Sequence, residues 1–225
     1  MVEQVISNNH NGGSIPTSPL HYSLATDTKK AREFVVEHHY SHTCLGANDY
    51  IFVAHSEDNN LVGVCVFGFM SGNPKGACVV EGQDNPKRYR ELRRVVLLDS
   101  APKNSESRFI AWCLRWLRDN TNLLAIISFA DSAQNHIGVI YQAGNWKYTG
   151  ESLAHCPIYK VNGEVLHTRT LIARYGTEQV EKLRALGLGV ETKERVPKFR
   201  YIYPLREGLL LKAPILPYPK KGVLK

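Results

Sequence analysis

The chain has 225 residues, of which 28 are Lys or Arg and 21 are Asp or Glu, so its formal net charge is +7. This length suits one domain with extensions or two small domains, and an apolar content of 43% excludes a fibrous or largely disordered chain. The apolar runs are far shorter than the roughly 18 residues of a membrane span, and no secretory signal pattern opens the sequence. We therefore expect a cytoplasmic protein with no membrane contact.

Cysteine spacing and charge narrow the class of protein further. The five cysteines are scattered without a CxxC pair, which argues against a disulfide framework and a structural zinc site. The positive charge favours a polyanionic partner, either nucleic acid or an anionic cofactor, although two solvated charged faces are an equal alternative. The basic residues concentrate in two stretches: Lys87, Arg88, Arg90, Arg93 and Arg94, then Lys193, Arg195, Lys198 and Arg200.

The first predicted elements are a helix and a hairpin. Residues 1–22 are rich in Asn, Gly, Ser and Pro and are predicted to be a flexible leader. Asp27 is a suitable N-cap for a helix whose stripe has helical spacing: Ala31, Phe34, Val35 and His38. The runs "YIFVAH" and "LVGVCVFGF", separated by the turn-forming "SEDNN", predict two antiparallel strands.

The middle of the chain predicts a strand, a helix and a second strand. "ELRRVVLLD" ends in an apolar run typical of a central strand, and "LLAIISFA" is a second buried strand. Between them lies a predicted helix, capped by Asn104 or Ser105, with the stripe Ile110, Cys113, Leu114 and Leu117. A strand, helix and strand of this length indicate a parallel pair with a right-handed crossover.

The last third of the chain has a different set of predicted elements. "IYKV-NG-EVLHTRTL" predicts a hairpin with a two-residue Asn-Gly turn. A short helix from Thr177 to about Leu186 and the strand "FRYIYPL" should follow. We predict an α/β fold with a mixed sheet and helices on both faces, in which residues 23–155 form the core and residues 156–225 form a C-terminal extension packed on it.

The order of elements and one local motif resemble the GNAT acyltransferase superfamily. In "NHIGVIYQAGNWKYTG", Asn135 would start the last core helix, Tyr141 follows six residues on, and Gly144 and Trp146 lead into a strand. The chain departs from the superfamily's Gly-rich phosphate loop and has "SAPKNSES" instead, yet a helix N-terminus after a strand still attracts an anion. The predicted cofactor-binding residues are Val95, Leu97, Asn104, Ser105, Ser107 and Asn135.

A narrower resemblance covers residues 34–150. "FVVEHHYSH", "ELRRVVLLD", "KNSESRFIAWCLRWL" and "SFADSAQNHIGVIYQAGNWKYTG" are similar, in this order, to the Mom family of phage DNA-modification proteins, a divergent GNAT branch. This resemblance implies an enzyme that converts adenine N6 in duplex DNA to N6-(methylcarbamoyl/carbamoylmethyl)adenine and so protects DNA from host restriction. It also implies acetyl-CoA, or a related anionic acyl donor, as cofactor, with iron as a further candidate.

Two predicted catalytic residues follow the second buried strand. By the GNAT resemblance, Tyr141 would stand beside the CoA sulfur and protonate a leaving thiolate, for which a phenol pKa near 10 is suitable. The alternative is a core tyrosine bonded to a carbonyl oxygen. Asp131 lies at the carboxyl end of a central strand, where open α/β sheets place ligands, although it could equally cap the following segment.

Charged residues open the central strand. Glu91 and Arg93 share a face by period 2 and Arg94 takes the other, so both arginines can point at one site only if a bulge intervenes. Buried charge at the start of a core strand is costly, which favours an active-site or phosphate role for Glu91, Arg93 and Arg94. Arg94 could instead cap the core against solvent.

The cluster His38, His39, Tyr40 and His42 is the densest group of ligand-type residues in the chain. His38 continues the apolar stripe and is expected to pack in the core, which leaves Tyr40 as a catalytic candidate. By helical spacing either His38 or His39 could share a face with His42, and His39, His42 and Asp131 form the predicted metal-binding set. Imidazole, phenolate and carboxylate ligands suit iron better than zinc.

The leading prediction is therefore a Mom-like DNA-adenine modifying transferase in a phage-infected bacterial host. Duplex DNA would bind the basic surface, and Tyr40, Tyr141 and Trp146 could stack on an extruded adenine. An ordinary N-acetyltransferase of a small amine or protein is the first alternative, and a non-catalytic DNA-binding protein is the second. A homodimer is one option for its assembly.

Overall fold

A computed structural model provides the structure of the chain and describes residues 20–44, 48–70, 74–152, 157–166, 168–194 and 196–220. The first strands and helices are β1 (His21–Leu24), α1 (Thr28–His38), β2 (Asn48–His55), β3 (Leu61–Gly68), β4 (Tyr89–Leu97), α2 (Ser105–Asn120) and β5 (Ala125–Ala130). They are followed by α3 (Val139–Ala143), β6 (Lys147–Glu151), β7 (Ile158–Val161), β8 (Glu164–Leu166), α4 (Thr168–Tyr175), α5 (Val180–Ala185), β9 (Val190–Lys193) and β10 (Phe199–Pro204).

A seven-stranded mixed sheet has the order β1-β2-β3-β4-β5-β10-β6. The pairs from β1 to β4 are antiparallel, β4 and β5 are parallel, and β10 is antiparallel to β5. The predicted hairpin of β2 and β3, the central position of β4 and the parallel crossover through α2 are therefore confirmed.

Helices cover both faces of this sheet. Along β4, Val96 packs with Phe34 and Val35 of α1, whereas Val95 and Leu97 pack in the cluster that contains the buried stripe of α2. Neighbouring residues of a strand point to opposite faces, so the two clusters lie on opposite sides of β4. The predicted α/β class with helices on both faces is confirmed.

Helix α1 has the predicted start and the predicted stripe. The carboxylate of Asp27 accepts a hydrogen bond of 2.9 Å from the backbone N–H of Lys30, as an N-cap does. Ala31 and Val35 are buried, and the ring of His38 packs on Phe34 at 4.5 Å between centroids. His38 therefore belongs to the packed side of α1, as predicted, and the chain leaves the helix at His39.

Several boundaries differ from the predicted ones. The leader predicted over 1–22 lies outside the described residues up to residue 19, but His21 begins β1, which pairs with β2. The segment after Leu166, predicted as strand, forms α4, because helical spacing buries Leu171 and Gly176 ends the helix with a φ of 73°. No α-helix in the described part of the chain is long and apolar enough to cross a membrane.

The chain divides into two compact units, residues 1–150 with 199–225 and residues 151–198. The predicted C-terminal extension is therefore not one unit, because its strand β10 lies inside the seven-stranded sheet. The second unit has the three-stranded sheet β8-β7-β9 and a core that includes Tyr159, Leu171 and Leu183. Its predicted two-residue turn is present, with positive φ at both Asn162 and Gly163.

Candidate active site at two diverging strands

Strands β4 and β5 separate part of the way along their length. They pair at three positions only, the last being Glu91 with Ile127. Beyond it, β4 continues to Leu97 paired with β3, and β5 continues to Ala130 paired with β10. Over these described strands, the facing edges of 92–97 and 128–130 are not paired with each other. We call this opening the cleft, and the backbone edges of the two strands line it.

The closed end of the cleft is held by two hydroxyl groups. The Oγ of Ser128 lies 2.9 Å from the carbonyl oxygen of Leu92, across the gap between the two strands. The hydroxyl of Tyr141 lies 2.6 Å from the same Oγ. Both Ser128 and Tyr141 are fully buried. The predicted catalytic Tyr141 therefore stands at the inner end of the cleft, and Ser128 is a partner that sequence reasoning did not single out.

Aromatic packing fixes the ring of Tyr141. Its ring centroid lies 5.0 Å from those of Trp146 and Tyr201, and all three side chains are fully buried. A fully buried ring has no face for a base, so Tyr141 and Trp146 do not stack on an extruded adenine in this structure. Of the three predicted stacking residues, only Tyr40 is partly exposed.

Strand β4 contains the bulge that the predicted arginine arrangement needed. Val66 pairs with Arg94 and Phe67 with Leu92, so Arg93 is an extra residue in the ladder. Val66 belongs to the buried cluster of α1, and paired residues share a face, so Arg94 points to the α1 side. Without a bulge, the alternation of a strand would put Arg93 on the face of Glu91. With the bulge, Arg94 lies on that face instead.

Arg94 uses its guanidinium to hold the turn after α1. Its Nε donates to the carbonyl oxygen of Thr43 at 3.0 Å, and its Nη2 donates to the Thr43 hydroxyl at 3.1 Å. Its Nη1 donates to the carbonyl oxygen of Arg93 at 2.6 Å. Burial lowers the pKa of Arg94, and the nearby Cys44 and Tyr40 oppose this shift. Arg94 therefore positions the turn that carries His39 and Tyr40.

This turn places Tyr40 beside Asp131. Burial, and secondly the carboxylate of Asp131, raise the pKa of Tyr40 to about 12, while Arg94 acts in the opposite direction. The hydroxyl oxygen of Tyr40 is buried and has no hydrogen-bond partner among the described residues. The ring of His136 lies 6.5 Å from that of Tyr40. Tyr40, Arg94, Asp131 and His136 form what we call the Tyr40 cluster.

The predicted metal set does not fit the structure. His39 is buried, with its Nδ1 2.8 Å from the hydroxyl of Ser41. His42 is exposed in the left-handed region at a φ of 45°, and its Nδ1 lies 3.0 Å from the carbonyl oxygen of Val36. Within the described residues no three His, Cys, Asp or Glu side chains are arranged to hold a metal ion. His39, His42 and Asp131 are therefore not a ligand set for iron.

The predicted cofactor residues on β4 and α2 offer backbone groups more than side chains. Val95 and Leu97 are buried in the core, which leaves only their backbone edges to the cleft. Asn104 is the N-cap of α2 at a φ of 62° without a side-chain capping bond. Ser105 is buried, and the hydroxyl of Ser107 donates to the carbonyl oxygen of Asn104. The groups here that can bind an anion are therefore the free backbone N–H groups at the N-terminus of α2.

Acidic residues lie beside the loop before α2 and in the first turn of α2. The loop before α2 lines a cavity of about 410 Å³ together with Glu57 and Asp58 of the turn between β2 and β3. Glu106 lies in the first turn of α2, where a carboxylate interacts favourably with the helix dipole. A phosphate group bound here would be held by backbone N–H groups and repelled by the nearby carboxylates.

Asn135 does not start a helix. It follows the short 3₁₀ turn Ser132–Gln134, is exposed and has a φ of 57°. Helix α3 starts at Val139 after Gly138, whose φ is 74°. The prediction that Asn135 opens the last core helix is wrong, because glycine in the left-handed region provides the turn into α3. Asp131 is placed as predicted, directly after β5.

The basic stretches are partly internal. Arg90 is buried, forms an ion pair with Asp49 at 2.5 Å and lies 3.9 Å from the centroid of the Phe69 ring. Arg200 donates to the hydroxyl of Thr149 at 2.9 Å. Arg195 lies outside the described residues. Burial removes Arg90 from the predicted basic surface, whereas Arg200 is half-buried and held by Thr149.

Comparisons with known proteins give one family and several structural neighbours. The family model described as "Mom protein family" matches residues 22–220. The methylcarbamoylase mom of Escherichia phage Mu is 35% identical over 202 residues, which is 84% of this chain and 80% of that protein. A variant of the spermidine N-acetyltransferase SpeG from Vibrio cholerae is similar with a TM-score of 0.49 and 10% identity, over 83% of this chain and 94% of that chain. An N-acetyltransferase from Staphylococcus aureus Mu50 has a TM-score of 0.47 and 11% identity, over 84% of this chain and 99% of that chain. By the extent of the family match and the identity to the phage Mu protein, the chain belongs to the Mom protein family.

Proposed function

We propose that this protein modifies phage DNA by converting adenine N6 in duplex DNA to N6-(methylcarbamoyl/carbamoylmethyl)adenine, which protects the DNA from host restriction. The family membership and the 35% identity to a methylcarbamoylase support this proposal. The observation that carries it is the Tyr40 cluster, in which a buried phenol oxygen without a hydrogen-bond partner among the described residues lies near enough to Asp131 and Arg94 for both charges to act on its pKa.

Acetyl-CoA, or a related acyl donor, is the proposed cofactor. Its pantetheine arm is long, extended and contains amide groups, which suit the unpaired edges of β4 and β5 in the cleft. The cofactor phosphates would lie at the start of α2 and bind backbone N–H groups. Ser128 and Tyr141 at the closed end would then meet the reactive sulfur.

The adenine would meet the Tyr40 cluster from the other side. N6 takes part in base pairing, so the base has to be extruded from the duplex before it can react. Asp131 is an acceptor for the hydrogens of an exocyclic amino group. A phenol is protonated at neutral pH, and the raised pKa of Tyr40, about 12, opposes its ionisation further. Tyr40 therefore acts as a hydrogen-bond donor and not as a base.

The product sets a further requirement. Direct attack of N6 on a thioester carbonyl would give an N-acetyladenine, whereas the proposed product contains an amide nitrogen that acetyl-CoA does not supply. A bond from N6 to the methyl carbon also replaces a C–H bond, which is a two-electron oxidation. The described side chains offer acid–base groups and hydrogen bonds, so a nitrogen donor and a two-electron oxidant both have to enter the reaction as further substrates.

Mass spectrometry of nucleosides tests the proposed function. DNA from cells that express the protein should contain an adenosine heavier by a carbamoylmethyl unit. DNA from cells that express Asp131→Asn should lack it, because the amide does not offer the same negatively charged acceptor. Unmodified nucleosides with the unaltered protein would reject the proposal.

An ordinary N-acetyltransferase is the second candidate, and one observation favours it. The phenol of Tyr141 lies at the closed end of the cleft, where it would supply the proton for a leaving thiolate, the step that simple acetyl transfer needs. Transfer of labelled acetyl from acetyl-CoA to a small amine or protein, without modified nucleosides, would support this candidate over DNA modification.

A further inference from the structure

Ser128 is a polar residue in an otherwise apolar strand. Its neighbours in β5 from Ala125 to Ala130 are alanine, isoleucine and phenylalanine, and Ser128 itself is fully buried. A buried hydroxyl is costly unless it is hydrogen-bonded, and this one has two oxygen partners at the closed end of the cleft. One partner is the carbonyl oxygen of Leu92 and the other is the hydroxyl of Tyr141.

The number of protons fixes the direction of these two hydrogen bonds. The carbonyl of Leu92 can only accept, so the single hydroxyl proton of Ser128 is donated to it at 2.9 Å. Ser128 then has no proton left for its 2.6 Å contact with Tyr141. The phenol of Tyr141 is therefore the donor, and its proton lies between the two hydroxyl oxygens and not toward a ligand.

Delivery of that proton requires Ser128 to change partner. If the hydroxyl of Ser128 rotates from Leu92 to Tyr141, it donates to the phenol oxygen and releases the phenol proton toward the cleft. The carbonyl of Leu92 would then lose the hydroxyl donor of Ser128, which is unfavourable unless a ligand N–H replaces it. The rotation is thus coupled to occupation of the cleft.

We propose that Ser128 is a positioning residue that directs the phenol proton of Tyr141 toward the sulfur of a CoA ligand when the cleft is occupied. This inference rests on the proposed use of an acyl-CoA. When the nitrogen donor bonds to the acyl carbon with its own electron pair and gives up a proton to solvent, the carbon–sulfur bond breaks, and the sulfur keeps the bonding electron pair and takes the proton from Tyr141. The phenol oxygen keeps the electron pair of its O–H bond, and the resulting phenolate accepts a hydrogen bond from Ser128. That hydrogen bond favours the charged form of Tyr141.

Binding of two probes, CoA and desulfo-CoA, tests this inference on the full-length protein. The two ligands differ only in the sulfur that would accept the hydrogen bond from Tyr141. The unaltered protein should bind CoA roughly 2- to 10-fold more tightly than desulfo-CoA, as expected for one modest hydrogen bond. Isothermal titration calorimetry measures both dissociation constants.

The variants separate positioning from general stability. Ser128→Ala should bring the ratio of the two dissociation constants to about 1, and Ser128→Thr, which keeps the hydroxyl, should restore it. Tyr141→Phe should also give a ratio of about 1, and the double variant with Ser128→Ala should show no further change. If Ser128→Ala folds poorly, Ser128→Cys keeps the test valid, because it fills the same buried space with a much weaker hydrogen-bond donor and should also bring the ratio to about 1.

Each outcome has a defined meaning. A ratio that stays at its original value in Ser128→Ala would overturn the role of Ser128 while leaving the proposed function intact. Failure of the unaltered protein to bind either probe would reject CoA as the cofactor and the inference with it. Loss of the ratio in both Ser128→Ala and Ser128→Thr would mean that Ser128 contributes only through packing.

Discussion

Replacement of Tyr40 by phenylalanine should separate stability from activity. The Tyr40 hydroxyl is buried without a hydrogen-bond partner among the described residues, which normally costs about 1–3 kcal/mol. The side chain as a whole is only partly buried, so we take the lower end of this range. Tyr40→Phe should therefore raise the free energy of unfolding by about 1 kcal/mol, or roughly 2–4 °C in Tm for a chain of this size. It should abolish the modification of adenine.

Tyr141→Phe is the matched control, because it removes the same atom from a hydrogen-bonded site. Loss of its 2.6 Å contact with Ser128 should lower the free energy of unfolding by about 1 kcal/mol. Urea denaturation with unchanged m-values measures both effects, and nucleoside mass spectrometry measures activity. The reasoning fails if Tyr40→Phe is destabilised as much as Tyr141→Phe, or if Tyr40→Phe still modifies DNA at the original level.

Three further outcomes are expected. Arg94→Lys should lose the paired hydrogen bonds to Thr43, because lysine lacks the guanidinium fork, and should lower the free energy of unfolding by about 1–3 kcal/mol. Amide hydrogen exchange in the turn after α1 should become faster, and unchanged exchange would contradict this reasoning. Gly138→Ala should lower the free energy of unfolding by about 2 kcal/mol or more, because Gly138 has a φ of 74° and the added Cβ would lie 2.5 Å from the ring of Tyr201. Urea denaturation measures this change, and a neutral effect would argue against this placement of α3. The free energy of unfolding should fall between pH 10 and 12, because the unfolded chain releases the Tyr40 proton near pH 10 and the folded protein only near pH 12. In alkaline denaturation, Tyr40→Phe should lose less stability over this range than the unaltered protein.

Local patterns were sufficient for the elements that frame the site. The stripe of α1 with its Asp27 cap, the β2–β3 hairpin and the strand–helix–strand unit of β4, α2 and β5 each depend on residues close in sequence. Segments whose structure depends on distant partners were missed or misplaced. β1 is a four-residue edge strand formed by pairing with β2, and β10 lies between β5 and β6 although both precede it in the chain.

The candidate site follows the same division. Asp131 and Tyr141 were found because their places after β5 and on α3 follow from the order of elements. The pairing of Arg94 with Thr43 joins residues far apart in sequence, and the bulge at Arg93 leaves no local pattern. Ser128 did leave a signal, since a polar residue within "LLAIISFA" requires a buried hydrogen-bond partner.

The late arrival of β10 affects how the protein folds during synthesis. Until the ribosome has produced Phe199–Pro204, one edge of β5 has no partner, and that edge includes Ser128, which pairs with Tyr201. An apolar strand with an open edge is prone to pair with another chain. Nascent chains that stall before β10 should therefore aggregate, and the ring of Tyr141 gains its packing partner Tyr201 only after β10 has been synthesised.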